Sequence, residues 1–422
     1  MSGGVSGRRR RVLEMSMRWL RIVLMIAAIP ATARAQATQT PAPPVTAGWQ
    51  DGFVLQTPNG DNRLVIGLNL QVDGRFPMGE GDSPPATFAI RKMRPTFSGR
   101  VAKYFDFRVM PDFGGGTAVL QDAYFDVRVS PRFRLRTGKD KTPVGYVVLL
   151  GDPYLLFPER SLASLLAPNR DIGFQAQGHF GPRFSYSGGV FNGIPDGVSS
   201  TTDDTNGAKD LAGRIVWRPF GSTSAPANAS SGLGFHLGGS AGKQQGPLPS
   251  FRTLGGLTYF SYATGAIASG SRDRISPAVF YYHKSVGAYA EYTRSTQDVL
   301  RTGTTTTVAN DGWEVTGSYV LTGEATSDRG VRPEHNLDPQ NGHWGAFQIA
   351  ARYSELHVDS EAFNKGLASA SSNQHAKALT VGANWYLNTF IKYLATYERT
   401  EMDGGVGPRT ENVIVVRAQL LF

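Results

Sequence analysis

The stretch "DAYFDVRVSPRFRLRTGKDK" (122–141) decides how the chain folds. Ala123, Phe125, Val127 and Val129 alternate with Tyr124, Asp126 and Arg128. Phe133 and Leu135 alternate with Arg134 and Arg136. A strand points successive side chains to opposite faces, so this is two strands, each with one apolar and one polar face. A soluble barrel would have to bury the guanidinium groups in a dry core, which is costly unless each is paired. A membrane barrel inverts the arrangement: apolar side chains meet lipid, and the arginines stand in a water-filled lumen.

The same alternation recurs along the chain. In "RLVIGLNLQVDGRF" (63–76), Leu64, Ile66, Leu68, Leu70 and Val72 oppose Val65, Gly67, Asn69, Gln71 and Asp73. In "FDFRVM" (105–110), Phe105, Phe107 and Val109 oppose Asp106 and Arg108. The final residues "VVRAQLLF" (415–422) place Val416, Ala418, Leu420 and Phe422 on one face, with Arg417 and Gln419 on the other. Further strand candidates include 252–262, 276–284, 311–321 and 374–388. The total is about 16 to 18 strands with turns roughly every 10 residues. The fold expected is all-β, a transmembrane antiparallel barrel of about 16 strands with an inward-folded constriction loop. The composition agrees: 50 Gly, 23 Phe, 16 Tyr and no Cys suit a turn-rich barrel with aromatic girdles and no disulfide framework.

The formal charge of +9 is unevenly spread. Residues 1–35 carry a net +6, which leaves +3 for the remainder. "RRRRVLEMSMRWLR" (8–21) and the apolar "IVLMIAAIPA" (22–31) read as a signal peptide. Cleavage is expected after Ala33-Arg34-Ala35, following export by the general secretory route. Residues 36–48 read as a Pro/Thr/Ala-rich linker, and 49–422 as the outer-membrane barrel domain.

One segment, 138–173, interrupts the strand rhythm and carries Tyr154, Leu155, Leu156, Phe157, Leu162, Leu165 and Leu166. It is too apolar to be a solvated loop, so it is expected to fold against the inner wall and narrow the pore, with "SLASLLA" as a short helix. Lys139, Lys141, Arg160 and Arg170 would then ride at the constriction. Just upstream, residues 91–141 hold twelve Lys/Arg against five acids. Basic rings select anions, Arg by a bidentate fork and Lys as a point charge. Arg108, Arg128, Arg134 and Arg136 are therefore wall candidates. Some of these cations are expected to pair with the acids and tie strands together.

Taken in order, "RTGKDKTPVG" (136–145), "PERS" (158–161), "APNRDIG" (167–173), "GVFNG" (189–193), "KDLAGRIVWRP" (209–219), "VGANWYLN" (381–388) and "VRAQLLF" (416–422) resemble the phosphate-selective porin O and P family of Gram-negative outer membranes. The resemblance implies a 16-stranded homotrimer, an inward loop and basic residues that select phosphate or other small anions. It implies constriction roles for Lys139, Lys141, Arg160 and Arg170, and a wall role for Arg134 or Arg136. It departs at Asp140, which separates two lysines where the family pattern has an aromatic, and at Val144, which replaces a usual aromatic. The terminal aromatic, Phe422, looks like the signal read by the outer-membrane insertion machinery. Other readings are a general, sugar- or cation-selective porin and a plugged structural barrel. The seven scattered His show no metal or H-x-E spacing and no G-x-S-x-G elbow occurs, so no catalytic residue, metal or cofactor is expected. No nucleic-acid role is expected, since the basic residues alternate along strands beside an outer-membrane lipid face.

Overall fold

The computed structural model describes residues 45–78, 84–200, 204, 206–222 and 229–422. The signal-peptide reading (1–35) and most of the linker reading (36–44) lie outside the described residues.

Sixteen strands close into one antiparallel barrel. They are β1 (Arg63–Met78), β2 (Thr87–Val101), β3 (Phe105–Asp112), β4 (Val119–Ser130), β5 (Phe133–Lys141), β6 (Arg170–Phe180), β7 (Phe184–Phe191) and β8 (Asp210–Trp217). The circuit continues with β9 (Leu233–Gly246), β10 (Ile267–His283), β11 (Val286–Arg301), β12 (Thr304–Val320), β13 (Ala346–His357), β14 (His375–Tyr386), β15 (Ile391–Asp403) and β16 (Arg409–Leu421). Each strand pairs with the next, and β16 pairs with β1 from Leu421↔Asn69 to Asn412↔Met78. The last strand of the barrel thus returns to the first.

Two-residue periodicity sets the faces. In β16 the odd-numbered Glu411, Val413, Val415, Arg417 and Gln419 are buried inward, while Ile414, Val416, Ala418 and Leu420 turn out. In β1 Asn69, Gln71 and Asp73 are buried inward. Thr302 and Gly303 both take positive φ, the tight-turn geometry that joins β11 to β12 in two residues without splaying them.

β16 covers only the upper part of β1. The rest of that edge pairs with Phe53–Gln56, which itself pairs with Thr46–Trp49, so residues 46–48 of the expected linker are strand. Phe422 sits at the junction. Its N–H donates to the Leu68 carbonyl at 3.0 Å, and its own carbonyl accepts from Leu68 N–H at 2.8 Å. Its ring lies 5.6 Å from Trp49 and 6.0 Å from Phe53. The approach requires Gly67, where a Cβ would stand 2.5 Å from the Phe422 oxygen. Deleting Phe422 removes both hydrogen bonds and the ring contacts, a loss of about 2–4 kcal/mol at the seam. The expected result is a smaller fraction of heat-resistant barrel after refolding into lipid, read by gel mobility. Unchanged assembly would remove Phe422 from this role.

The interior is divided. The strands flanking the long loop run further than the sequence pattern shows, with Lys141 paired to Arg170, so the loop proper is 142–169. It crosses the lumen and is held by inner-face side chains of six consecutive strands. Glu291 of β11 accepts from Tyr146 N–H, and Glu314 of β12 from the Ser161 hydroxyl. Arg352 of β13 donates to Glu159 O, and Asn384 of β14 to Leu156 O. Lys392 of β15 donates to Pro153 O and Leu155 O, and Arg417 of β16 to Pro158 O. The expected helix at "SLASLLA" is a single 3-10 turn, Ala163–Leu166.

The stretch 252–262, expected as a spanning strand, is instead part of a small hairpin (Phe251–Arg252 with Thr258–Phe260) inside the barrel. Phe251, Tyr259 and Phe260 are fully buried, so a strand with one lipid-facing side does not describe them. They join Leu162, Leu166, Val299, Val308, Leu356, Val358, Leu367 and Met402 in an apolar cluster that fills the barrel beside β11–β15. The open space lies toward β1–β6, with β13–β16 completing its lining.

Candidate functional site

Two large cavities lie in the lumen among the described residues. One, of about 590 Å³, lies toward the end that holds Phe422 and is lined by Asn69, Arg108, Asp122, Tyr124, Lys141 and Lys392 among others. The second, of about 650 Å³, opens toward the opposite end and is lined by Arg75, Arg91, Lys92, Glu159, Arg160 and Arg252 among others. Arg94, Asp152 and Arg170 line both, so they mark the partition between the two chambers. Strand alternation brings Lys92 and Arg94 to the inner face of β2, Arg108 to that of β3 and Asp122 to that of β4. Asp152 and Arg160 arrive on the loop.

The partition is a lattice of ion pairs. Arg94 Nε lies 2.6 Å from Asp112, and its Nη1 reaches Asp152. Lys92 Nζ lies 3.0 Å from Asp152 Oδ2, and Arg160 Nη2 lies 2.6 Å from Oδ1. Arg170 and Arg108 share Asp122, at 2.6 Å and 3.0 Å. Lys141 Nζ donates to the Leu150 carbonyl at 2.6 Å. Six basic groups (Lys92, Arg94, Arg108, Lys141, Arg160, Arg170) thus face three carboxylates (Asp112, Asp122, Asp152). The excess is positive, and a narrow gap between low-dielectric walls strengthens its field. On the loop, burial alone would raise the Asp152 carboxyl, but Lys92, Arg160, Lys141 and Arg94 hold it well below the usual carboxylate range. Glu159 is likewise pushed up by burial, but its partner Arg91 keeps it low. Arg75 and Arg91 bind its Oε1 at 2.7 and 2.6 Å.

Of the eight basic residues singled out in the sequence, Arg108, Lys141, Arg160 and Arg170 line the chambers. The other four lie outside both linings. Lys139 is buried at the strand end and donates to the Ser200 carbonyl. Arg128 pairs with Asp106 at 3.3 Å, and Arg134 with Asp126 at 3.1 Å. Arg136 pairs with Asp126 at 2.8 Å, also reaches Asp140, and covers the Tyr124 ring. These wall arginines each have an acid on their own or a neighbouring strand, which makes them strand ties. Asp140, the departure between the two lysines, is thereby engaged by Arg136.

Lys92, Arg94 and Asp152, which the sequence reading did not single out as site residues, also line the chambers. The alternation of Lys92 and Arg94 inside "AIRKMRPTF" (89–97) carries a signal for the first two. Nothing local marks Asp152, whose partners come from β2 and from further along the loop.

Sequence comparison matches the chain to the phosphate-selective porin O and P family over residues 65–422. No curated protein matches the sequence. Among solved structures, the outer membrane channel DcaP of Acinetobacter baumannii aligns with a TM-score of 0.56 at 10% identity, covering 88% of this chain and 99% of that one. The anion-selective porin from Comamonas acidovorans aligns with a TM-score of 0.55 at 10% identity, covering 86% and 100%. OmpT, an outer membrane protein of Vibrio cholerae, aligns with a TM-score of 0.54 at 12% identity, covering 86% and 98%. At these identities the likeness is one of fold.

Proposed function

Because this chain belongs to the phosphate-selective porin O and P family, and is therefore an outer-membrane channel, we propose that it passes small anions, phosphate among them, by passive diffusion. The observation that carries the reading is the partition where both chambers meet. Six basic side chains face three carboxylates there, and the cations stand on the aqueous side of the lumen. A cation entering this gap meets a net positive field, while an anion can exchange part of its hydration for guanidinium and ammonium donors. Arg170, Arg160, Arg108 and Lys141 act here together with Lys92 and Arg94. Lys139, Arg128, Arg134 and Arg136 support the wall. The loop 142–169 is the constriction element, and a homotrimer is the assembly. A Vibrio cholerae protein of similar fold is described in a trimer form. The barrel follows a signal peptide removed near Ala35, with Phe422 as the signal to the insertion machinery.

The test is the reversal potential of the purified protein in a planar bilayer under a KCl gradient, with phosphate then added. Anion selectivity with reduction of the chloride current by phosphate is expected. A cation-selective current would overturn the reading, and absence of current would indicate a plugged barrel.

A further inference from the structure

The centre of the partition is already occupied by an anion, and that anion is part of the protein. Asp152 opens the 3-10 turn Asp152–Tyr154, and its carboxylate is almost fully buried. Three basic side chains converge on it. Lys92 and Arg94 hold Oδ2, and Arg160 holds Oδ1 at 2.6 Å. Lys92 and Arg94 come from the wall, so the carboxylate spans the gap between wall and loop. The turn that carries it is fixed from behind, where Lys392 and Gln419 both donate to the Pro153 carbonyl at 3.1 Å. The carboxylate therefore reaches the wall cations from a rigid base.

Such a set of donors is what a tetrahedral oxyanion needs. An ammonium and two guanidinium groups can serve three or more oxygens, against the two that Asp152 offers. Without Asp152, these three cations would keep as a paired carboxylate only Asp112, on Arg94; such a site would hold an oxyanion firmly, and conduction needs binding that is weak enough to leave. A tethered carboxylate at high effective concentration solves this by competing for the same donors.

We propose that Asp152 is a built-in competitor, holding the Lys92, Arg94 and Arg160 donors that a passing phosphate-class oxyanion would use. The entering anion takes over the donors, Asp152 swings aside, and the return of Asp152 helps to expel the anion into the next chamber. The proposal rests on the reading of the lumen as an anion path.

The test is phosphate block of the KCl current in single channels of full-length protein reconstituted in a planar bilayer. For Asp152→Asn, half-block is expected at a phosphate concentration lower than wild type by about tenfold or more, because the competitor is gone. Asp152→Glu keeps a tethered carboxylate, so half-block is expected within about twofold of wild type. Block in Asp152→Asn at the wild-type concentration would overturn the proposal. So would a gain in anion selectivity with no saturable block, because that is the signature of a changed charge without a site. If Asp152→Asn fails to form heat-resistant barrels, Asp152→Glu still decides: a shift of about tenfold in that variant overturns the proposal. A cation-selective wild-type channel would instead sink the anion-path reading, and that result is read from the reversal potential alone.

Discussion

Replacing Arg417 by alanine is expected to destabilise the folded barrel by about 3–5 kcal/mol, the cost of leaving one partner of a buried ion pair alone. Arg417 and Asp73 stand opposite each other across the seam where β16 meets β1. Nε binds Oδ1 at 2.6 Å and Nη2 binds Oδ2 at 2.8 Å, with side-chain exposures of 1% and 0%. The remaining Nη1 donates to the Pro158 carbonyl at 2.9 Å, so one side chain closes the barrel and anchors the loop. In the alanine variant, the Asp73 carboxylate keeps only Arg75, at 3.4 Å. The next rung, Gln71 to Gln419 at 2.8 Å, carries no charge and does not compensate. Urea unfolding followed by gel mobility or tryptophan fluorescence measures the loss. The pair Asp73→Asn with Arg417→Gln is expected to recover most of it, because no unpaired charge is left at the seam. A stability within about 1 kcal/mol of wild type for the alanine variant would mean that water reaches Asp73.

The second large effect is expected at the root of the loop. Glu291 accepts three hydrogen bonds. Oε1 takes Tyr146 N–H at 2.7 Å and the Ser276 hydroxyl at 2.5 Å, and Oε2 takes Val147 N–H at 2.9 Å. The two amides open the short helical turn Tyr146–Leu149, so they have no partner within it. A buried amide left without its acceptor costs about 1–3 kcal/mol, and two are left here, so Glu291→Ala loosens the root by about 3 kcal/mol. The population with a displaced loop then rises on the order of 100-fold. Single-channel records are expected to show larger and noisier openings. Glu291→Gln is expected to restore little, because its amide nitrogen faces a donor at one of the two positions. The Tyr146 ring, stacked on Phe280 at 5.1 Å, and its hydroxyl, 3.1 Å from that of Tyr282, keep the loop tethered, so the barrel itself should remain intact. Quiet openings of wild-type size would show that the loop is held elsewhere, by Arg352, Lys392 and Arg417.

The barrel is legible along the chain. Alternation in 63–76, 122–141 and 415–422 fixes which side chains meet lipid and which meet the lumen, because that period belongs to the strand and needs no tertiary information. The inward fold of the long loop was legible for a similar reason: Leu155, Phe157, Leu162 and Leu166 have to be covered, and the lumen is where they are buried. The fate of 252–262 was not legible. Its apolar residues suit a spanning strand as well as a packed hairpin, and only the apolar cluster around Leu162 and Leu166 selects between them.

The roles of the cations were also left to the tertiary structure. Lys139, Arg134 and Arg170 look alike as basic residues on or beside strands, yet one binds a loop carbonyl, one ties a wall and one lines both chambers. What separates them is the nearest carboxylate or carbonyl, and those partners are fixed by register and by closure of the barrel. Asp152 meets Lys92 only because the loop crosses the lumen, and Arg417 meets Asp73 only because the last strand returns to the first. Alternation is local and can be read along the chain, whereas the charge that survives in the pore depends on which groups the closed barrel brings within bonding distance.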